Sequence, residues 1–198
     1  MQQGFEVLGI DRSESMIDKA LEAPLPPGLE FRRGDLGALG EIVDSGYGGA
    51  ICLGNTLPHL RETSQLRGFL SGVRQALAPT APVLLQALNY DRIFAQHQRY
   101  LPLNFRQDDE GEIVFLRLME LEDDGGVVFF PSTLRLDPDA DPPLAVKAAK
   151  RVDLHGWRRD ELESLLGEAG FRERQWMGSF AGEAFDPKAS VDLLVVAR

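Results

Sequence analysis

Residues 4–20 read GFEVLGIDRSESMIDKA, and this stretch decides the fold. Phe5 to Ile10 is a short apolar run rich in strand formers, and it stops at Asp11. Ser13 is placed to cap a helix whose Met16, Ile17, Ala20 and Leu21 line one face. Pro24, Pro26, Pro27 and Gly28 then end that helix.

Further along, the same alternation returns. Leu29–Arg32 reads as a second strand running into Gly34-Asp35-Leu36, and Gly49–Leu53 as a third, followed by Gly54-Asn55-Thr56. Leu66, Phe69, Leu70, Val73 and Leu77 recur at helical spacing, and Val83–Leu88 reads as a fourth strand. Strands separated by helices require crossover connections, which predicts an α/β fold with a doubly wound, mostly parallel sheet. Residues 94–150 break the pattern. Ile113–Leu121 and Val127–Leu136, joined by Glu122-Asp123-Asp124-Gly125-Gly126, predict a hairpin, with Ala145–Leu154 as an added edge strand. The expectation is an antiparallel insertion at 94–150, lying as a lid over a core formed by 1–93 and 151–198. A last helix through Leu162, Leu165, Leu166 and Ala169, closed by Gly170, precedes two closing strands at Arg172–Phe180 and Val191–Ala197.

Composition narrows the function classes. The 198 residues are 43% hydrophobic and 26% charged, which suits a packed domain. Acidic residues outnumber basic ones 31 to 21, for a net charge of −10. Such a surface repels a phosphate backbone, so a nucleic-acid partner is not expected. Cys52 is the single cysteine and sits in an apolar run, which predicts a buried inert thiol and no Cys-based metal site. No apolar stretch is long enough for a membrane span and no signal-peptide pattern opens the chain, so a cytoplasmic protein without membrane or metal is expected.

In open α/β sheets ligands bind beyond the carboxyl ends of the strands. Asp11 follows the first strand, and a carboxylate there can accept both hydroxyls of a ribose. Asp35, after Gly34, can accept from an adenine amino group while Leu36 or Met16 packs on the ring. Gly54 allows close approach of backbone to a ligand, and Asn55 offers a donor and an acceptor. Each also has a plain structural reading, as a turn former or helix cap. Their occurrence at three successive strand ends points to an adenosine-containing cofactor. His59 and Tyr90, just past strand ends, are the candidates to contact a second substrate. Arg99 and Arg135 are candidates for a bidentate contact to a carboxylate, with Tyr100 beside them. Trp157 is expected in the core.

These segments resemble class I S-adenosylmethionine-dependent methyltransferases. GFEVLGIDRSESMIDKA is similar to the family's second strand and following helix, and the resemblance implies a ribose-holding role for Asp11, with Ser13 and Met16 nearby. FRRGDL resembles the adenine-contacting motif, implying that role for Asp35 and Leu36. AICLGNTLPHL resembles the fourth-strand motif, especially in relatives of glycine and sarcosine N-methyltransferases, and places Leu53, Gly54, Asn55 and His59 at the cofactor and substrate edge. LLQALNYDRI and EAGF resemble the fifth strand and the closing hairpin. The resemblance implies S-adenosyl-L-methionine as cofactor and a small-molecule methyl acceptor, such as an amine or amino acid. The family begins with a strand and a Gly-rich loop, whereas here Met1-Gln2-Gln3-Gly4 leads directly into the second strand. The expectation is a truncated form with impaired activity, and with unpaired strand edges between the strands ending at Asp11 and Gly54, unless the sheet closes or rearranges or a second chain completes it. Two other readings stay open: a non-catalytic partial subunit that binds another methyltransferase chain, with exposed edges that favour self-association as a homo-oligomer, and a dinucleotide-binding oxidoreductase domain, which also places an acid after its second strand.

Overall fold

A computed structural model describes residues 4–198. The part of the N-terminal expectation that falls on residues 1–3 lies outside the described residues. The chain runs β1 (Val7–Asp11), α1 (Glu14–Leu21), β2 (Leu29–Arg33), a 3-10 segment (Leu36–Glu41), β3 (Ala50–Cys52), a 3-10 turn (Leu57–His59), α2 (Thr63–Ala76), β4 (Val83–Leu88) and α3 (Tyr90–Ala95). Five strands follow: β5 (Asn104–Asp108), β6 (Gly111–Leu121), β7 (Gly126–Leu136), β8 (Leu144–Ala149) and β9 (Val152–His155). Helix α4 (Arg159–Glu168) and the strands β10 (Arg174–Met177) and β11 (Asp192–Ala197) close the chain.

The α/β architecture expected from the alternation is present, but its sheet is in two pieces. β1 pairs in parallel with β2 alone. β3 pairs in parallel with β4, which pairs antiparallel with β11 and through it β10. Among the described residues no strand lies between β1 and β3. Both nevertheless border one core: Ile10 of β1 and Ala50 and Cys52 of β3 pack against the same buried cluster. The unpaired edge of β3 leaves Ile51 74% exposed.

That core forms where helices cover the four-stranded sheet. The face of α2 marked by Leu66, Phe69, Leu70 and Val73 meets Leu162, Leu165 and Leu166 of α4 over Val83, Leu85, Leu193 and Val195. Trp157 belongs to it, as expected, and its indole N–H donates to the Leu60 carbonyl at 3.0 Å. In contrast α1 buries none of its residues, and Met16 and Leu21 are exposed.

The expected hairpin is β6–β7, in register from Glu112↔Leu136 to Leu121↔Val127. Two features correct the reading of this region. The single edge strand expected at Ala145–Leu154 is two strands, β8 and β9, both pairing with β7, and β9 carries the sheet past residue 150. A further strand, β5, pairs antiparallel with β6. One end of this sheet rests on α3, through Met119, Val127 and Leu154 against Tyr90 and Ile93.

Two glycines set how closely α2 approaches the segment after β2. A Cβ on Gly68 would lie 2.5 Å from the Gly37 carbonyl oxygen, and one on Gly72 2.7 Å from the Gly40 nitrogen. Helix propensity alone favours alanine over glycine by about 1 kcal/mol, but overpacking against backbone costs about 1–3 kcal/mol. Gly68→Ala is therefore expected to destabilise the protein in urea unfolding. Gly167→Ala in α4 is expected to stabilise it, because the nearest atom to the new Cβ is 4.0 Å away on a flexible arginine. Equal shifts in the two variants would rule out the close α2 contact.

Candidate active site

β1 ends on Asp11, whose Oδ1 accepts the Ser13 backbone N–H at 2.8 Å. Ser13 in turn caps α1, its Oγ accepting the Met16 N–H at 3.4 Å. The neighbouring strand ends in the same way. Asp35 Oδ1 accepts the Gly37 N–H at 2.8 Å and caps the 3-10 segment. The two turns are tied together, because the Gly34 N–H donates to the Asp11 carbonyl at 3.0 Å. Gly34 has no room for a side chain, since its Cβ would meet Ile42 at 2.6 Å.

Both carboxylates thus carry turn and cap duties, which occupy one oxygen of each. Among the described residues the second oxygen of neither accepts a hydrogen bond, and neither carboxylate is in an ion pair. An ionised carboxylate accepts through both oxygens, so each keeps acceptor capacity for a ligand. Asp11 is half-buried and Asp35 exposed. Leu36 packs against the main core, while Met16 stands free on α1.

The end of β3 is built differently. Gly54 and Asn55 both take left-handed backbone conformations, at φ 74° and 61°. A residue the sequence reading passed over holds this turn. The buried Gln86 accepts the N–H groups of Gly54 at 2.7 Å and Asn55 at 3.2 Å through Oε1, and donates through Nε2 to Asp192 at 2.8 Å. The Asn55 side chain is committed as well: Nδ2 donates to the Tyr90 hydroxyl at 3.0 Å and Oδ1 accepts the Leu88 N–H at 3.0 Å. Asn55 is therefore a brace between β3 and β4 and not a free donor and acceptor. Leu53 is partly exposed, its carbonyl taking the Thr56 hydroxyl at 2.7 Å.

Tyr90, expected to contact an acceptor, lies inside the protein. The residue is 1% exposed, and burial pushes its phenol up to about 12, against the smaller opposing effect of the Asn55 hydrogen bond. It does not ionise near neutral pH and has no open face. Burial likewise raises the Cys52 thiol to about 11, with the Thr56 hydrogen bond opposing it, as an inert thiol requires.

His59, in contrast, is exposed at the end of its 3-10 turn. Partial burial lowers its pKa from the ordinary value, and the positive charge of Arg12 lowers it further. Arg12 directly follows Asp11 at the end of β1. Arg12 was not singled out from the sequence, where it is one arginine in a polar turn.

The arginines expected at an acceptor are engaged elsewhere. Arg135 is largely buried and pairs with Asp108, at 2.9 Å from Nη2 to Oδ2, and with Glu110. Arg99 faces Glu120 at 3.6 Å. Tyr100 is 65% exposed and pairs with Leu118 at the edge of the antiparallel sheet. Among the described residues no cluster of His, Cys, Asp or Glu is suited to a metal ion, and no helix is long and apolar enough to cross a membrane.

No protein-family model matches the sequence. The chain is 33% identical over 95 residues to a glycine/sarcosine N-methyltransferase of Halorhodospira halochloris, covering 47% of this chain and 35% of that relative. It is 26% identical over 188 residues to a glycine/sarcosine/dimethylglycine N-methyltransferase of Actinopolyspora halophila, covering 91% of this chain and 30% of that relative. The chain thus spans about a third of the length of these curated relatives. Among solved structures it superposes on the S-adenosylmethionine-bound amino pentose methyltransferase CalS10 of Micromonospora echinaspora with a TM-score of 0.72, at 15% identity, covering 98% of this chain and 74% of that one. In sequence the chain is similar to glycine/sarcosine N-methyltransferases, and in fold to S-adenosylmethionine-dependent methyltransferases.

Proposed function

We propose that this chain contributes the adenosine-binding and acceptor-facing part of an S-adenosylmethionine-dependent N-methyltransferase acting on a small amine or amino acid. The observation that carries this reading is the pair Asp11 and Asp35. Asp11 ends β1 and Asp35 follows the end of the adjacent, hydrogen-bonded parallel strand β2, and each has a carboxylate oxygen left over from its turn. The names of the curated relatives support an amine or amino acid as acceptor.

In this reading Asp11 accepts from the ribose hydroxyls and Asp35 from the adenine amino group. The proposal sets the cofactor against the backbone at Gly54, where no side chain intervenes. Asn55, Gln86 and Tyr90 position that turn without touching substrate. The bound cofactor supplies a methyl group already activated on a sulfonium centre, so the chain must mainly align the acceptor nitrogen and exclude water. An amine acceptor arrives protonated and must release a proton before its lone pair is exposed. His59, whose pKa partial burial and then Arg12 lower from the ordinary value, is the group proposed to take it.

Three outcomes test this. Calorimetric titration of the purified protein with S-adenosylhomocysteine is expected to show binding, weakened about tenfold or more in Asp11→Ala, since a hydrogen bond to a charged group contributes about 1.5–3 kcal/mol. Unchanged affinity in Asp11→Ala, or binding of a nicotinamide dinucleotide in its place, would refute the assignment. His59→Gln is expected to slow methylation of glycine or sarcosine about 100-fold, with cofactor affinity retained; full activity in that variant removes His59 from the mechanism. In NMR titration the His59 imidazole is expected to protonate below the ordinary value of about 6.5. Its neutral form then persists through neutral pH and is lost only as pH falls past the lowered midpoint. Arg12→Ala raises that midpoint part of the way, because burial is the larger cause.

A further inference from the structure

The antiparallel sheet carries a second concavity, away from the strand-end residues. Cross-strand partners share a face. Pairing therefore sets Asn104 beside Phe115 and Thr133, Arg106 beside Ile113 and Arg135, and Arg117 beside Pro131. Lys150 joins the same region, its backbone N–H donating to the Pro131 carbonyl at 3.1 Å. The result is a basin of about 550 Å³ whose apolar floor includes Phe115, Phe129 and Pro131 and whose cations are Arg106, Arg117 and Lys150.

Those cations reverse the local charge of a chain whose net charge is −10. Among the described residues none of the three is in an ion pair. The acids nearest in register, Asp108 and Glu110, are already held by Arg135. Two of the cations are also held in place: the Arg106 guanidinium lies 5.9 Å from the centre of the Phe115 ring, and Arg117 Nη2 donates to the Pro102 carbonyl at 2.7 Å. A fixed guanidinium over an apolar floor suits a planar oxyanion attached to an apolar body. The volume lies within the range of about 300–1,000 Å³ usual for small-molecule sites, and an acceptor the size of glycine would leave the aromatic floor uncovered. Phe129 of the floor also packs on the buried cluster that contains Tyr90.

We propose that this basin binds a small organic anion, a carboxylate or phosphate joined to an aromatic or apolar body. The test is calorimetry or ligand-observed NMR on the protein without methyl donor, using benzoate, phenyl phosphate, benzyl alcohol and inorganic phosphate. Benzoate or phenyl phosphate is expected to bind at least tenfold more tightly than benzyl alcohol or inorganic phosphate, and the tighter of the two names the anion. Arg106→Glu and Lys150→Glu change exposed side chains. Each is expected to weaken that binding tenfold or more, while S-adenosylhomocysteine affinity stays within twofold. The proposal is overturned if neither aromatic anion binds, if benzyl alcohol binds as well as benzoate, or if both charge reversals leave affinity intact. Failure of wild-type protein to bind S-adenosylhomocysteine, with the anion still bound and lost in Arg106→Glu, would keep the basin and sink the methyltransferase reading.

Discussion

A buried primary amide organises the centre of this molecule. Gln86 lies within an otherwise apolar strand, where an amide without partners costs about 1–3 kcal/mol by mutational measures. Its oxygen receives two backbone N–H groups from the turn after β3, and its nitrogen reaches Asp192 on β11. One side chain on β4 therefore ties three strands together at their functional end. The left-handed conformations of Gly54 and Asn55 follow from presenting successive N–H groups to one oxygen. Asn55 then passes the constraint on to Leu88 and Tyr90 and so to the antiparallel sheet.

The other half of the strand-end region is positioned by contact, not by this network. β1 and β2 form their own two-stranded ladder. What fixes them against the rest is Ile10 and Leu36 on the main core and the close approach of α2 at Gly68 and Gly72 to the segment that Asp35 caps. Glycine here is a packing residue: it brings helix backbone against loop backbone, and that sets where the second carboxylate stands.

Much of this was legible because local chemistry agreed with the global fold. Apolar runs stopped by Asp or Gly, the periodicity of Leu66 to Val73, and the acidic Gly-rich link between β6 and β7 each matched what formed. Asp11 and Asp35 were legible as turn formers and helix caps, and those duties are present. The rest depended on distant partners. β5, Asn104–Asp108, is exposed throughout and shows no alternation, so only its pairing to β6 makes it a strand. The Arg135–Asp108 pair spans 27 residues, and nothing near Arg135 announces that it is taken. The burial of Tyr90 arises because α3 lies under a sheet formed mostly later in the chain. Gln86 did leave a signal: a lone amide between Leu85 and Ala87 in a strand covered on both faces must find buried partners.

The gap in the sheet bears on energetics as well as shape. The unit carrying Asp11 and Asp35 shares no backbone ladder with the unit carrying Gly54 and His59. A small molecule gripping both must also hold those units in register with each other. Part of its free energy of association then goes into docking one piece of the protein onto the other, so occupancy and resistance to unfolding rise together. Tightness in such a cleft reflects how well the halves are already seated as much as the contacts the guest makes.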